Sequence, residues 1–275
     1  MSEIVISIEG LEKSYGKHKV LRGVDMHVKK GDIYGLIGKN GAGKTTLFKN
    51  ILGLSDFESG KLSIFGGANE KENNHNRSKI GFFVGNCIYD YLSGRSNLEY
   101  FRRLKGVKDK DEVDRVLEIV GLDSKAADTP AKKYSLGMKQ RLGLAQSLLG
   151  NPELLIFDEP TNGLDPQGIM DVRNLLQKLN EEEGKTILVS SHILGELQNT
   201  AHRFGIIHDG VLMKELVQDD FRVQKNITSI NVEDKDVEKA KALLEQNGIE
   251  IHGLAQATSS LEDYYFDLIG GGEDA

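Results

Sequence analysis

Residues 33–50 read "IYGLIGKNGAGKTTLFKN". The first five are apolar or glycine, the signature of a buried strand, and "KTTLFKNILGL" from Lys44 onward has helical spacing. Between them lies Gly38-Lys39-Asn40-Gly41-Ala42-Gly43-Lys44-Thr45, with Thr46 next in line. Glycines here let backbone N–H groups close around a phosphate, at a helix start whose dipole favours anions. Lys44 is placed to reach the β- and γ-phosphates of a nucleotide, and the Thr45 hydroxyl to ligate Mg²⁺. A plain glycine-rich turn needs no Lys-Thr between a strand and a helix, so phosphate binding is the expected role.

Outward from this loop, "EIVISIEGLEKSY" and "VLRGVDMHV" alternate apolar and polar residues as strands do, with "GKHK" as the turn between them. "GKLSIFG" and "SKIGFFV" predict further strands, separated by the polar stretch "GANEKENNHNR", which is expected to be mobile. Residues 95–149 hold three helical patterns, "SNLEYFRRLKG", "DEVDRVLEIVGL" and "LGMKQRLGLAQSLLG", with no strand between them. They predict a helical subdomain inserted at about 86–150 into an α/β core. Strands return in "ELLIFDEP", "KTILVSSH" and "RFGIIHDG", alternating with the helices "GIMDVRNLLQKLN" and "ILGELQNTA". Such alternation predicts a parallel sheet with its ligands at the strand carboxyl ends. From residue 217 the pattern resets to strand, helix, strand, helix: "SINVED", "KDVEKAKALLEQNG", "IEIHGLA" and "LEDYYFDLIG". This is a small α/β appendix, 217–275, after a nucleotide-binding domain of 1–216.

Composition narrows the classes. A net charge of −7 argues against a general nucleic-acid or anionic-lipid binder. The single cysteine, Cys87, excludes an intramolecular disulfide framework and fits a reducing cytosol. The amino terminus "MSEIVISIEG" lacks the form of a signal peptide, and no apolar run approaches the roughly 18 residues that span a bilayer. Any work at a membrane would need another chain to hold this one there.

The acids of "LLIFDE" close an apolar strand. Asp158 is placed to hold Mg²⁺, and Glu159 to orient and polarise an attacking water. His192, after "LVSS", ends another strand and could donate a hydrogen bond to the γ-phosphate. Tyr15 could stack on adenine, but an exposed strand tyrosine needs no ligand to explain it, and spacing leaves both readings open. Ser135 and Gly137 of "YSLGMKQ" offer a hydroxyl and an approachable backbone at the start of a helix, a second anion cradle far from the first. A simple serine N-cap is the plainer alternative.

At this point the sequence resembles the ATP-binding subunits of ABC transporters. "YSLGM" is similar to the family's signature motif, usually LSGGQ, keeping its serine and second glycine and departing at Leu136 and Met138. The resemblance runs from about residue 3 to 216 in the family's order: Tyr15, the P-loop, the signature, "LLIFDEP", the D-loop "GLD" at 163–165 and the switch His192. "YSLGMKQRLGLAQSLL", "PTNGLDPQGI" and the tail "SLEDYYFDLIGG" look most like the bacitracin-resistance and lantibiotic-immunity exporters. The resemblance implies a P-loop NTPase core with an amino-terminal antiparallel β subdomain. It implies ATP and Mg²⁺ as ligands, ATP hydrolysis, a separate membrane permease as partner, and a location at the cytoplasmic face of the membrane. It further implies a head-to-tail dimer in which Ser135 serves the other subunit's nucleotide, and export of antimicrobial peptides or drugs. One departure stands out: the Gln or Glu that ligates Mg²⁺ in this family is missing from "IGFFVGNCIYDYLSG", where Gly85 or Asn86 falls instead. Asn86 would serve as a shorter amide. The competing readings are a weakly hydrolysing ATP sensor and a cassette acting on ribosomes or DNA. One cassette without extended heptads counts against the latter.

Overall fold

The computed structural model describes residues 3–85, 87–198, 200–218, 220, 232, 234–249 and 251. The alternating apolar residues at the start pair as a hairpin, β1 (Ile4–Tyr15) with β2 (His18–Lys29), antiparallel. Ile6, Ile8 and Leu11 face the core from β1, and Leu21, Val24, Met26 and Val28 from β2. The turn is tighter than "GKHK" suggested. His18 and Lys19 already belong to β2, and Gly16, at φ 62°, makes the reversal with Lys17. Two-residue connections with positive φ match the twist of paired strands.

The opening stretch supplies β3 (Ile33–Ile37), every residue buried, and α1 (Lys44–Ile51). β4 (Ser59–Ile64) then pairs with the free edge of β1, giving a three-stranded antiparallel sheet of order β2-β1-β4. The polar stretch after β4 is no mobile loop; it forms α2 (Glu70–Asn76). Asn69 caps it by accepting from the Glu72 N–H, and the Glu72 carboxylate accepts from the Ala68 N–H in return. Asn73, almost fully buried, donates to the Leu62 carbonyl at 2.7 Å and accepts from the Ile64 N–H at 2.9 Å. Its polar residues satisfy helix ends and a strand edge, a use that composition alone does not reveal.

β5 (Ile80–Phe83) is an edge strand of the second sheet, to which β3 also belongs, and precedes four helices: α3 (Gly94–Leu104), α4 (Glu112–Ile119), the short α5 (Ser124–Ala127) and α6 (Leu136–Leu148). Ser93, Asp123 and Ser135 cap α3, α5 and α6 through their side chains. Leu98, Val113, Val116, Leu117, Leu142 and Ala145 are buried among these helices. The chain then returns to the sheet through β6 (Leu154–Asp158), α7 (Pro166–Glu181), β7 (Thr186–Ser191), α8 (Leu194–Leu197), β8 (Arg203–His208) and β9 (Val211–Val217). The strand order is β5-β6-β7-β3-β8-β9. The five strands β5, β6, β7, β3 and β8 run parallel, as expected. β9 folds back antiparallel on β8 after Asp209 and Gly210, an edge strand the sequence reading did not separate from its surroundings. Central strands covered on both faces read as continuous apolar runs, and β3, β6 and β7 do.

The chain divides into compact units of residues 1–218 and 219–275. In the second, α9 (Val237–Gln246) follows a 3₁₀ turn at Asp234–Asp236, matching the helix expected in "KDVEKAKALLEQNG". The expected strands "SINVED" and "IEIHGLA" lie largely, and the helix "LEDYYFDLIG" wholly, outside the described residues.

Two glycines let α6 approach the sheet closely. A Cβ on Gly143 would lie 2.2 Å from the Phe83 ring, and one on Gly81 would lie 2.1 Å from the Ser147 carbonyl oxygen. Gly81→Ala should therefore push β5 and α6 apart and destabilise the domain by about 1–3 kcal/mol, as overpacking does. Thermal unfolding should show a Tm lower by on the order of 5 °C. An unchanged Tm would show that the two backbones do not meet.

Candidate active site

At the end of β3 the chain passes too close to β8 for a side chain. A Cβ on Gly38 would meet the Ile207 carbonyl oxygen at 2.4 Å, and the Gly38 N–H donates to the Ser191 carbonyl at 3.3 Å. The loop then turns through Gly41 at φ 86° and Gly43 at φ 108°, left-handed conformations that glycine adopts without strain. Gly43 is the N-cap of α1 and gives it no side-chain cap. Ala42 is buried, and its carbonyl accepts from the Gly210 N–H, so the loop is tied to the β8–β9 turn.

Lys44 is only 4% exposed. Its Nζ donates to the Gly38 carbonyl at 2.5 Å and the Lys39 carbonyl at 3.2 Å, and lies 3.0 Å from Glu159 Oε1. The buried ammonium is thus carried by two loop carbonyls and one carboxylate. Thr45 Oγ1 donates to Asp158 Oδ2 at 2.6 Å. Glu159 has φ 49°, a left-handed conformation uncommon for a residue with a side chain. Its second carboxylate oxygen lies 2.8 Å from His192 Nδ1. The expected base, the expected switch histidine and the loop lysine therefore meet at one carboxylate.

Lys44, Thr45, Thr46, Asn40, Gly41, Gly43 and Glu159 line one cleft of about 250 Å³, together with Val20 and Tyr15. Tyr15 is half exposed there; its hydroxyl is 3.3 Å from Ser55 Oγ and Lys13 Nζ stands 5.1 Å from the ring centre. A larger groove, about 450 Å³, runs along β4 and the start of α2, but it gathers none of the phosphate-directed residues.

Ser135 and Gly137 do not line the cleft. Ser135 caps α6 by accepting from the Met138 N–H at 3.2 Å, which is the plainer reading of that residue. The surroundings of Gly137 are open, its nearest neighbour to a Cβ position being Leu164 at 3.8 Å. Leu136 packs over Gly163, so the "YSLGM" turn and the "GLD" loop form one surface. Asp165 caps α7, accepting from the Gly168 N–H at 2.9 Å. Asn86 lies outside the described residues, and Gly85, at φ 74°, has no side chain to offer a metal.

Two groups escaped the sequence reading. Ser190, fully buried in β7, donates to Asp158 Oδ1 at 2.7 Å and accepts from the Glu159 N–H at 3.0 Å. The buried Glu196 carboxylate accepts from Thr161 Oγ1 at 2.7 Å and Ser191 Oγ at 2.8 Å, tying the segment after Glu159 to the segment before His192. The available signal was the pair of serines in "ILVSSH", two polar residues closing an otherwise apolar strand.

Residues 21–162 match the ABC transporter family. The chain is 39% identical to the bacitracin transport ATP-binding protein BcrA of Enterococcus faecalis, over 98% of each chain. It is 42% identical to the lantibiotic transport ATP-binding protein SrtF of Streptococcus pyogenes, over 77% of this chain and 90% of that one. Among solved structures, an ATP-binding subunit of an ABC transporter superposes with a TM-score of 0.72 at 27% identity, covering 96% of this chain and 99% of that one. A dimeric ATP-binding cassette in a post-hydrolysis state, bound to ADP and Pi, gives a TM-score of 0.69 at 25% identity, over 78% and 98%. With the glycine loop after β3, Asp158 and Glu159 after β6, and His192 after β7 gathered at the carboxyl ends of central strands, the chain belongs to the ABC transporter family as an ATP-binding, ATP-hydrolysing subunit.

Proposed function

We propose that this subunit hydrolyses Mg·ATP in a head-to-tail dimer and so drives a separate membrane permease that exports an antimicrobial peptide. The Glu159 carboxylate, held between Lys44 and His192, is the observation that carries the hydrolytic part. In this reading Lys44 contacts the β- and γ-phosphates. Glu159 takes a proton from the attacking water, and His192 donates to the γ-phosphate as its bond to the bridging oxygen breaks and ADP leaves. A purely ATP-sensing module would not need these three groups gathered at one point.

The donor set suits Mg²⁺. Thr45 Oγ1 and Asp158 Oδ2 are hard oxygen ligands 2.6 Å apart. Among the described residues no cluster of three or more His, Cys, Asp or Glu could hold a metal unaided. Mg²⁺ commonly takes one or two protein ligands and completes its shell with phosphates and water. Held by Thr45 and Asp158, it would supply positive charge to offset the negative charge developing on the phosphates.

The antimicrobial cargo rests on the named bacitracin and lantibiotic relatives. The dimer is supported by the dimeric cassette among the structural neighbours, and by Ser135 and Gly137 lying outside the cleft their own chain builds. Among the described residues no helix is long and apolar enough to cross a membrane, so the permease would be a separate chain, with this one docked at its cytoplasmic side. The docking surface we assign is the aromatic group beside α3. Tyr89 stacks on Phe101 and meets Tyr100 edge-on, while Tyr91 stays 74% exposed. Asn97 fixes this segment by donating to the Tyr89 and Ser93 carbonyls and accepting from the Tyr89 N–H. Tyr89 therefore both packs within the helical subdomain and stays partly open to a partner.

Three outcomes test this reading. Glu159→Gln should bind ATP yet turn over at least ~10²-fold more slowly. With Mg·ATP it should elute as a dimer in size-exclusion chromatography; a monomer under those conditions, alone and with the permease, would remove the sandwich arrangement. Lys44→Ala should abolish ATP binding by the isolated chain, whereas Ser135→Ala should keep that binding and lose both dimerisation and hydrolysis. Equal loss of monomer affinity in both would mean that "YSLGM" serves its own chain's nucleotide. Tyr91→Ala should leave basal hydrolysis intact and cut permease-stimulated hydrolysis about tenfold, the scale of a hot-spot aromatic. Undiminished stimulation would place the docking surface elsewhere.

A further inference from the structure

One hydroxyl joins the two acidic residues of the site. β6 and β7 pair in parallel with Asp158 opposite Ser190, so the Ser190 side chain lies at the level of the first acid and just below the second. The Glu159 N–H can only donate, and an ionised Asp158 carboxylate can only accept. The contacts at 3.0 and 2.7 Å therefore fix the direction of both bonds: the Ser190 oxygen receives the Glu159 N–H and its proton is committed to Asp158 Oδ1. Asp158 Oδ1 is thereby held toward Ser190, which turns Oδ2 toward Thr45, from which it accepts at 2.6 Å. The same hydroxyl holds the backbone of Glu159 at φ 49°, the conformation that sends its carboxylate to Lys44 and His192. Ser190 is completely buried, so no water replaces it without a change in structure.

We propose that Ser190 is a positioning residue for hydrolysis: its single hydroxyl selects which Asp158 oxygen meets the metal and sets the backbone of the Glu159 base. The inference rests on the assignment of Asp158 to Mg²⁺ and of Glu159 to the water, and deepens it by naming what orients both. The neighbouring Ser191 supplies a natural contrast. Its hydroxyl points to the other side of the strand and bonds Glu196 Oε2 at 2.8 Å and the Ile193 N–H at 2.9 Å, with no bond to either acid.

The test measures nucleotide binding with and without metal, apart from turnover. ADP affinity of the full-length chain is determined by calorimetry in EDTA and again in excess Mg²⁺, and the ratio is the metal-dependent gain. Ser190→Ala should leave the EDTA affinity within about twofold, because Lys44 and the glycine loop are untouched. It should shrink the metal-dependent gain about tenfold, the worth of a lost hydrogen bond to a charged group. The same variant should lower kcat by ~10²-fold with little change in KM for ATP, as displacement of a catalytic group by ~1 Å does. Ser190→Thr keeps the hydroxyl and should return gain and kcat to within about threefold of the parent. Ser191→Ala should leave the metal-dependent gain unchanged.

Loss of EDTA affinity in Ser190→Ala equal to the loss in Mg²⁺ would overturn the proposal, since it would mark Ser190 as packing alone. So would a gain and kcat that survive the substitution, or a Ser190→Thr as impaired as Ser190→Ala. Asp158→Asn separates the layers. If it abolishes the gain while Ser190→Ala does not, only the role of Ser190 falls; if it too keeps the gain, the Mg²⁺ assignment of Asp158 fails and the role of Ser190 falls with it.

Discussion

A line of hydrogen-bonded oxygens runs from Thr45 at the start of α1 through Asp158 at the end of β6 to Ser190 in the neighbouring β7, and the placement of the candidate site depends on its register. Parallel pairing sets Asp158 opposite Ser190 and Ile37 opposite Ser191. Side chains alternate between the faces of a strand, so a slip of one residue would send Asp158 and Ser190 to opposite faces. The buried runs of β3, β6 and β7 guard against that slip, because a shift would expose or misplace their packed apolar side chains; Asp158 closes β6, and Ser190 and Ser191 close β7. Core packing and the placement of the acids are here one constraint.

The buried Lys44 ammonium shows the same economy. An unpaired charge at that depth would cost several kcal/mol. Two loop carbonyls and the Glu159 carboxylate satisfy it. A phosphate oxygen approaching Lys44 would compete with Glu159 for the same Nζ. In the proposed reading, substrate binding and release of the Glu159 base would be coupled through that one atom.

The two proposed anion cradles sit on different supports. The first hangs from the parallel sheet. The second begins α6, which the glycines at 81 and 143 let lie directly against β5. Leu136 lies over Gly163, and the segment that begins at Thr161 is bonded through Glu196 to Ser191, the residue before His192. A continuous set of contacts thus leads from His192 to the surface reserved, in our reading, for a partner's nucleotide.

The sequence by itself determined the strand-loop-helix of 33–51, the helical insertion and the identity of Lys44, Thr45, Asp158, Glu159 and His192 as one chemical set. These signals are local: they are carried by periodicity, by glycine spacing and by acids at the end of an apolar run. The ordering of α2 escaped, because the buried amide of Asn73 finds its partners on β4, which composition does not reveal. Ser190 escaped for the same reason, since a serine becomes a positioning group only when a strand far away in the chain brings the Asp158 carboxylate and the Glu159 backbone N–H within 3.0 Å of its hydroxyl. Hydrogen bonding between side chains separated by more than thirty residues is decided by sheet register and close packing, and only the tertiary structure supplies those.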